Sequence, residues 1–299
     1  MKIANPYLQN GTWYRGSLHI HSTFSVCGWH GIEELALAYR DYDFMAVSDH
    51  DRVTTETEAL KDKDHVLFRG VEVSGDHHML LAGNGKLIPE DLDHTFSVAH
   101  YGQLAEDAVA AGNLAIAAHP MRIFGQHWSV EELLETRGLI GMEVFSGDGI
   151  HVDQDVGFEL WDRVLSAGRH LWGFGNDDFH HWGQERRVWN VVCAEARTPE
   201  AILSAMKRGS FYVSTGFGFS RISSDDSSVT FRLRSDTPQY KNAYHYLTLY
   251  GRDGKVLAEK TGHFQEFTYQ VRGDEGYIRA EAYMSGGYGA FTQPIWITD

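Results

Sequence analysis

The chain has 299 residues, 42% of them hydrophobic and 13% aromatic, which is enough apolar material for one large domain or two unequal ones. A formal charge of −15 argues against a broad contact with a nucleic-acid backbone, which requires clustered Lys and Arg. No apolar run approaches the roughly 18 residues of a membrane span and no apolar leader follows Met1, so a cytoplasmic protein with neither a nucleic-acid polymer nor a membrane as partner is expected.

The two cysteines, Cys27 and Cys193, lie far apart and set up no disulfide framework, so reduced thiols are expected. The first informative stretch is Ser17-Leu18-His19-Ile20-His21-Ser22, a short strand that stops at a polar run. Alternate side chains of a strand share a face, so His19 and His21 point the same way. In a chain with 17 histidines an H-x-H carries little alone. The downstream pattern gives it meaning.

Residues 31–42 have apolar residues at helical spacing and lead into an apolar strand, 44–48, that ends at Asp49-His50-Asp51. A strand at 66–73 ends near Glu72 and Ser74, another at 79–82 follows His77-His78, and one at 114–118 ends at His119-Pro120. Helical spacing recurs at 97–111, 129–137 and 156–167. The strand at 139–145 carries Glu143, and that at 170–175 ends at Asn176-Asp177-Asp178-Phe179-His180. In a last unit, a strand at 188–193 precedes Thr198 as N-cap, Pro199 at the first helical position and a helix reaching Gly209, after which 211–213 closes the domain.

Alternating strands and helices with polar clusters at the strand ends predict an α/β fold over residues 1–218, a parallel barrel with its active site at the C-terminal ends of the strands. From residue 219 the pattern changes to strands separated by turns, at 229–233, 246–250, 265–271, 277–283 and 291–297. This predicts a small antiparallel β-sandwich over 219–299. The glycines between 283 and 291 suit either a mobile cover or, more simply, a tight turn.

Collected together, His19, His21, His50, Glu72, His78, His119, Asp178 and His180 are the candidate ligands. Imidazole and carboxylate suit zinc, manganese or iron(II) better than calcium. Eight candidates exceed what one ion uses, which points to two or three divalent ions sharing a bridging carboxylate.

The ordered strings LHIHS, SDHD, GVEVS, HMLLAG, AHP and NDDFH resemble the PHP (polymerase and histidinol phosphatase) superfamily. With the WYRG lead-in, the segment TPEAILSAMKRGSFYVSTG and the late TQPI, the chain is similar to the CehA/McbA-type branch of metal-dependent phosphoesterases. The resemblance implies a distorted seven-stranded PHP barrel. It also implies that His19 and His21 bind one metal with Asp178, that Glu72 bridges to a second ion which His50 also binds, and that His119 and His180 serve the same cluster. His78 is the matching position before the apolar strand, with His77 as the other possibility.

The implied activity is hydrolysis of a small-molecule phosphate ester by metal-activated water, with two or three Zn, Mn or Fe ions as cofactors. His180 or His119 are the possible acids, and Asp51 and Asp178 can orient water. One departure stands out, because where the family commonly has Asp before Gly this chain reads Ser25-Val26-Cys27-Gly28. Either Cys27 is a substitute ligand that favours softer metals, or it is a small buried residue and the second site is weakened. His30 is a stand-in ligand, a substrate contact or a loop histidine.

Arg122, Arg186 and Arg187 suit phosphate recognition or, equally, salt bridges on an acidic surface. Trp128, Trp182 and Trp189 make either an aromatic wall or ordinary packing. Glu143 touches the site or pairs locally, and His65, His94, His127, His170, His245 and His263 read as ordinary histidines. Two alternatives stay open: hydrolysis of a carbamate, ester or amide at the same site, and a non-catalytic metal-binding module. The oligomeric state is not encoded in any of these patterns.

Overall fold

Phe44-Met45-Ala46-Val47 is buried at all four positions, the mark of a strand covered on both faces. Phe44 and Ala46 join Leu18, Phe68, Leu80, Ile116 and Phe174 in one cluster, whereas Met45 and Val47 join Ile20, Leu35 and Tyr39 in another. The period of two therefore separates an inner core from a helix-facing layer. A computed structural model describes residues 1–55, 60, 65–87, 97–122, 127–148 and 156–298 of the chain.

The strands of the first half are β1 (Lys2–Ala4), β2 (Thr12–Ser17), β3 (Phe44–Val47), β4 (Val66–Ser74), β5 (His78–Gly83), β6 (Leu114–Ala117), β7 (Gly141–Ser146), β8 (Trp172–Asn176) and β9 (Trp189–Ala194). They are followed by β10 (Phe211–Ser214), β11 (Phe219–Ser224), β12 (Ser228–Leu233), β13 (His245–Tyr250), β14 (Val256–Gly262), β15 (Glu266–Gln270), β16 (Tyr277–Met284), β17 (Tyr288–Thr292) and β18 (Ile295–Thr298). Helices Ile32–Ala38, Val98–Ala110, Val130–Glu135, Phe158–Ser166 and Pro199–Lys207 lie between the earlier strands. Their starts follow from sequence: Ser97, Ser129 and Thr198 each accept a backbone N–H with the side chain, and Ser129 with Glu132 forms a capping box.

The chain is mixed α/β, with few helices and one large mixed sheet ordered β1-β18-β16-β17-β10-β9-β2-β3-β4-β5-β6-β7-β8. Within it β2, β3 and β4 run parallel, as do β6, β7 and β8, while β5 is antiparallel to both neighbours. The run from β2 to β8 curls until its ends meet. Leu18 N donates to Asn176 Oδ1 at 2.8 Å, His21 N donates to the Phe179 carbonyl at 2.9 Å, and Ile20 bridges Phe179 in parallel sense. This closure brings His19 and His21 beside Asp178 and His180, although some 157 residues separate them along the chain.

Hydrogen bonding runs on past residue 218, because β10 pairs with β17 as well as β9, and β1 pairs with β18. A three-stranded sheet, β11-β12-β15, lies apart from the large one, and Ile222, Val229, Phe231 and Tyr269 from it share a core with Leu247, Leu249, Ile278 and Ala280. The continuous strand expected at 291–297 is instead two strands. Pro294 has no N–H to give to a ladder, and the Gln293 side chain bonds Gly173 at both N (2.8 Å) and O (2.7 Å). β11 and β14 are strands that the sequence pattern does not announce. Between β16 and β17 the glycine-rich stretch forms a hairpin, the simpler of its two expected roles.

A buried ion pair fixes the Phe158–Ser166 helix to β16. Arg279 Nε donates to Asp162 Oδ1 at 2.7 Å, Nη2 contacts Asp162 Oδ2, Nη1 donates to Glu281 at 2.6 Å, and the guanidinium lies over the Tyr250 ring. Among the described residues, no helix is long and apolar enough to cross a membrane.

Candidate metal centre

Strand ends converge on Glu72, near the C-terminus of β4. Its Oε1 lies 2.8 Å from His78 Nδ1 and 2.8 Å from His119 Nε2, and its Oε2 lies 3.1 Å from both His19 Nε2 and His21 Nε2 and 3.2 Å from His50 Nδ1. Asp178 meets the same pair from the other side, with Oδ1 at 3.1 Å from His19 Nε2 and 3.2 Å from His21 Nε2. Five imidazoles thus surround one carboxylate and two of them share a second. His19, His21, Glu72 and Asp178 are all essentially sealed from solvent.

The arrangement leaves polar atoms unsatisfied. Glu72 Oε2 and Asp178 Oδ1 are buried with no aligned donor, despite the imidazole nitrogens around them, and His19 Nε2 faces His21 Nε2 at 3.2 Å. Buried carboxylate oxygens and imidazole nitrogens that face one another without good hydrogen bonds are what a cation would satisfy. The donor set fits, and the buried cluster of His19, His21, Glu72 and Asp178 can hold a metal ion.

Charges are strongly coupled here. Burial opposes ionisation at Glu72 and Asp178, but His19 beside both, with His78 beside Glu72 and Arg122 beside Asp178, outweighs it and holds both carboxyls well below their usual range. Burial likewise opposes the charge on His19 and His21, yet the carboxylates prevail, raising His19 well above an ordinary imidazole and His21 to about 9. His50, more open, falls to about 4, chiefly through burial.

A second set of residues orients the first. Glu143 Oε1 accepts from His19 Nδ1 (3.0 Å) and Asn176 Nδ2 (2.9 Å), while Oε2 accepts from the His119 backbone N–H (2.7 Å). Glu143 therefore touches the site and turns His19 Nε2 inward. Ser25 Oγ donates to Asp49 (2.8 Å), lies 3.1 Å from His21 Nδ1 and accepts from His50 N (2.9 Å). That fixes the His21 tautomer with Nε2 inward. Asp49 also accepts from Ser22 N (2.8 Å) and Ser22 Oγ (2.7 Å). Asp177 accepts from Tyr39 Oη and from the backbone N–H groups of Arg186, Arg187 and Val188, bracing the loop beyond His180. Ser25, Asp49 and Asp177 were not singled out from sequence, and only their position beside the ligand strings could have marked them.

Three residues at these strand ends have left-handed backbone: Asp51 (φ 52°), His119 (φ 26°) and Asp178 (φ 50°). Asp51 Oδ1 accepts from Ser74 N at 2.7 Å, so its carboxylate braces the β4 terminus.

Other expected residues divide clearly. His78, not His77, joins the cluster; His77 Nε2 bonds Glu132 at 2.9 Å and stacks on Trp128, which is buried. Cys27 Sγ lies within 4.8 Å of ligand atoms of His21, His50 and His180. Burial pushes its thiol up to about 11, helped by the Asp178 and Glu72 carboxylates. Asp148, not anticipated, groups with Asp178 and His180. Arg122 Nη2 reaches Asp178 Oδ2 (2.5 Å) and Asp148 Oδ2 (3.3 Å).

Arg186 turns its side chain to Asp41 (3.4 Å), and its contribution to the site is its backbone N–H on Asp177. The Arg187 side chain donates to the Gly147 carbonyl at 3.0 Å. His30 lies 3.2 Å from Glu34 and packs its ring on Trp182, outside the cluster. Trp189 lies in a groove of about 900 Å³ with Trp13, Tyr212 and Tyr240, away from the ligands. His170 stacks on Trp296, and His94 lies outside the described residues.

Neither protein-family models nor curated proteins give a match to the chain.

Proposed function

We propose that the chain is a metal-dependent hydrolase of PHP type, in the CehA/McbA-like branch, that cleaves small phosphate esters. The observation that carries this is the convergence of the six histidine candidates, His19, His21, His50, His78, His119 and His180, on the other two, Glu72 and Asp178, all eight drawn from six motifs in the expected order. The curl from β2 to β8 agrees with a distorted seven-stranded barrel over 1–218, and the shared core of β11-β12-β15 and the later strands agrees with a β-sandwich over 219–299.

Cations held by His19, His21, Glu72 and Asp178, and by Glu72 with His50, His78 and His119, would supply Lewis acidity and activate water. The remaining steps belong to the chain. Glu72 presents one oxygen to each side of the cluster, Asp178 is held by Arg122 Nη2, and the same nitrogen reaches Asp148. Of the two candidate acids, His119 is committed to Glu72 and buried. Burial lowers the pKa of His180, which suits a neutral ligand better than a proton donor.

A carbamate or other carbonyl substrate is a second reading. It is favoured by the two carboxylates on Arg122, which reduce its charge towards a phosphate, and by exposed apolar residues in the loops flanking the centre, Phe24 (40%), Trp29 (70%) and Trp182 (45%).

The test is direct. Protein reconstituted with Zn, Mn or Fe should release inorganic phosphate from an aryl phosphate; release of the aryl alcohol from a carbamate alone would favour the second reading. Stoichiometric metal binding with neither release would leave a non-catalytic metal-binding module.

A further inference from the structure

Three features of the sequence lie outside the metal centre and meet in one place: the WYRG lead-in, Trp189, and Tyr288 at the end of the glycine-rich turn. Strand register brings the first two together. Arg15 pairs with Val191 and Val191 with Tyr212, while Trp189 pairs with Ser214. Trp13 and Arg15 of β2, Trp189 of β9 and Tyr212 of β10 therefore share one face of the sheet. Tyr14, Val192 and Phe211 on the other face belong to the barrel core.

The groove of about 900 Å³ over this face is bordered also by Phe217, Arg234 and Tyr240 from the later part of the chain. Its aromatic walls are fixed in place. Trp13 Nε1 donates to the Ser220 carbonyl (3.0 Å), and its ring meets Tyr212 edge-on with centroids 5.0 Å apart. Tyr240 Oη donates to the Gly216 carbonyl (3.0 Å). Tyr288 rests on Gly216, whose φ of 127° and missing side chain make the space, since a Cβ there would fall 2.6 Å from the tyrosine ring.

Charge in the groove is balanced. Arg234 forms a two-bond pair with Asp236, Nε to Oδ1 at 3.2 Å and Nη2 to Oδ2 at 2.7 Å, and its guanidinium lies over the Tyr240 ring. Arg15 donates from Nε to the Asp41 carbonyl (2.8 Å) and from its backbone N–H to the Asp43 carboxylate (2.9 Å). Two arginines and two aspartates line the groove, so neither an anion nor a cation meets an excess of opposite charge. A flat heteroaromatic ring is best held between parallel rings, whereas Trp13 and Tyr212 stand at 64° and Phe217 and Tyr240 at 52°.

We propose that this groove binds a neutral saccharide. A pyranose ring has C–H faces that lie against a Trp or Tyr ring, and a rim of hydroxyls that donate and accept at once. Arginine–aspartate pairs beside aromatic faces offer the matching surfaces, with guanidinium N–H groups as donors and carboxylate oxygens as acceptors. The volume is at the upper end for a small-molecule site and suits a short oligosaccharide better than a single ring. None of the candidate metal ligands among the described residues lines the groove, so the site stands whatever reaction the metal centre performs.

An array of neutral and acidic glycans probed with the intact chain tests this. Neutral oligosaccharides should be retained, and titration with a retained sugar should change tryptophan fluorescence, because Trp13 and Trp189 line the groove. Tyr288→Ala, at a ring 44% exposed on a hairpin, should weaken binding about tenfold. Asp236→Asn, at an exposed position, is a second variant that keeps the fold and should also weaken it. Binding should be the same before and after chelator treatment. No retention, retention confined to acidic glycans, or tighter binding of adenosine than of any sugar overturns the proposal. So does neutral-sugar binding that both variants leave unchanged. Sugar binding by a protein that hydrolyses nothing would sustain this site and defeat the hydrolase reading, and hydrolysis without sugar binding would do the reverse.

Discussion

Arg122 Nη2 lies 2.5 Å from Asp178 Oδ2, so a guanidinium covers one oxygen of a carboxylate whose other oxygen faces His19 and His21. Asp178 is thereby oriented from outside by a cation that does not compete for its inner oxygen. On the phosphate-ester reading, replacing Arg122 with Ala should lower kcat/KM for such an ester by on the order of 10²-fold, because a charged donor at the centre is lost. The metal content should stay unchanged, since Oδ1 keeps its direction. Elemental analysis alongside steady-state kinetics checks both halves, and a parallel loss of metal would show that Arg122 only shapes Asp178.

Asp178→Asn separates charge from backbone. Asparagine tolerates the left-handed conformation at this position, so the fold should survive. The anionic ligand is gone, and the purified variant should retain at least one metal ion fewer per chain. Circular dichroism and metal analysis of the same sample give the outcome.

Glu143→Gln tests orientation at a distance from the metal. Its two oxygens accept from His19 Nδ1 and the His119 backbone N–H, and an amide would turn an N–H towards one of those donors. Metal affinity should fall by about 10- to 100-fold, with the fold intact. Competition with a chelator of known affinity measures this.

Arg279→Met removes one partner of a pair that is almost wholly buried and leaves the Asp162 carboxylate with Tyr277 as its remaining partner. A cost of about 3–5 kcal/mol in unfolding free energy is expected, read from denaturant midpoints. Replacing Asp162 with Leu in the same chain should restore part of it, because the Asp162 charge is then no longer buried without a cation, although Glu281 still lacks the guanidinium.

The metal-free protein should also show a pH signature. The folded His21 pKa is raised from 6.5 to about 9, so its contribution to stability is fully present below 6.5 and is lost as pH rises through about 9. Glu72 and Asp178 act in the opposite range: their folded values are depressed, so their contribution is present above the ordinary carboxylate range and is lost as pH falls below it. Thermal melts in chelator across this range should therefore show a decline in stability from neutral pH towards 9. A flat profile would mean that His21 is not charged in the metal-free fold.

Much of the centre was legible because each ligand candidate stands at or beside the end of a strand whose apolar run shows in the sequence, and strand alternation pairs His19 with His21. What was not legible depends on distance along the chain. Glu143 acts on His19 from 124 residues away and Arg279 meets Asp162 across 117, and no local pattern reports either. The choice between His77 and His78 depended on which ring faces Glu72, a matter of register between β4 and β5. Arg186 looked like a phosphate contact because it follows the last motif, but its own φ of 58° and the Asp177 carboxylate turn its side chain outward. The break at Pro294 was readable in principle, since a proline cannot continue a central ladder.

The left-handed backbone at Asp51, His119 and Asp178 bears on anyone engineering this molecule. Each of these positions would be relieved by glycine, at a saving of about 1 kcal/mol or more. A stabilising redesign guided by backbone geometry would therefore choose two cluster residues, His119 and Asp178, among its first substitutions. Heat resistance obtained that way would come with a centre stripped of its ligands.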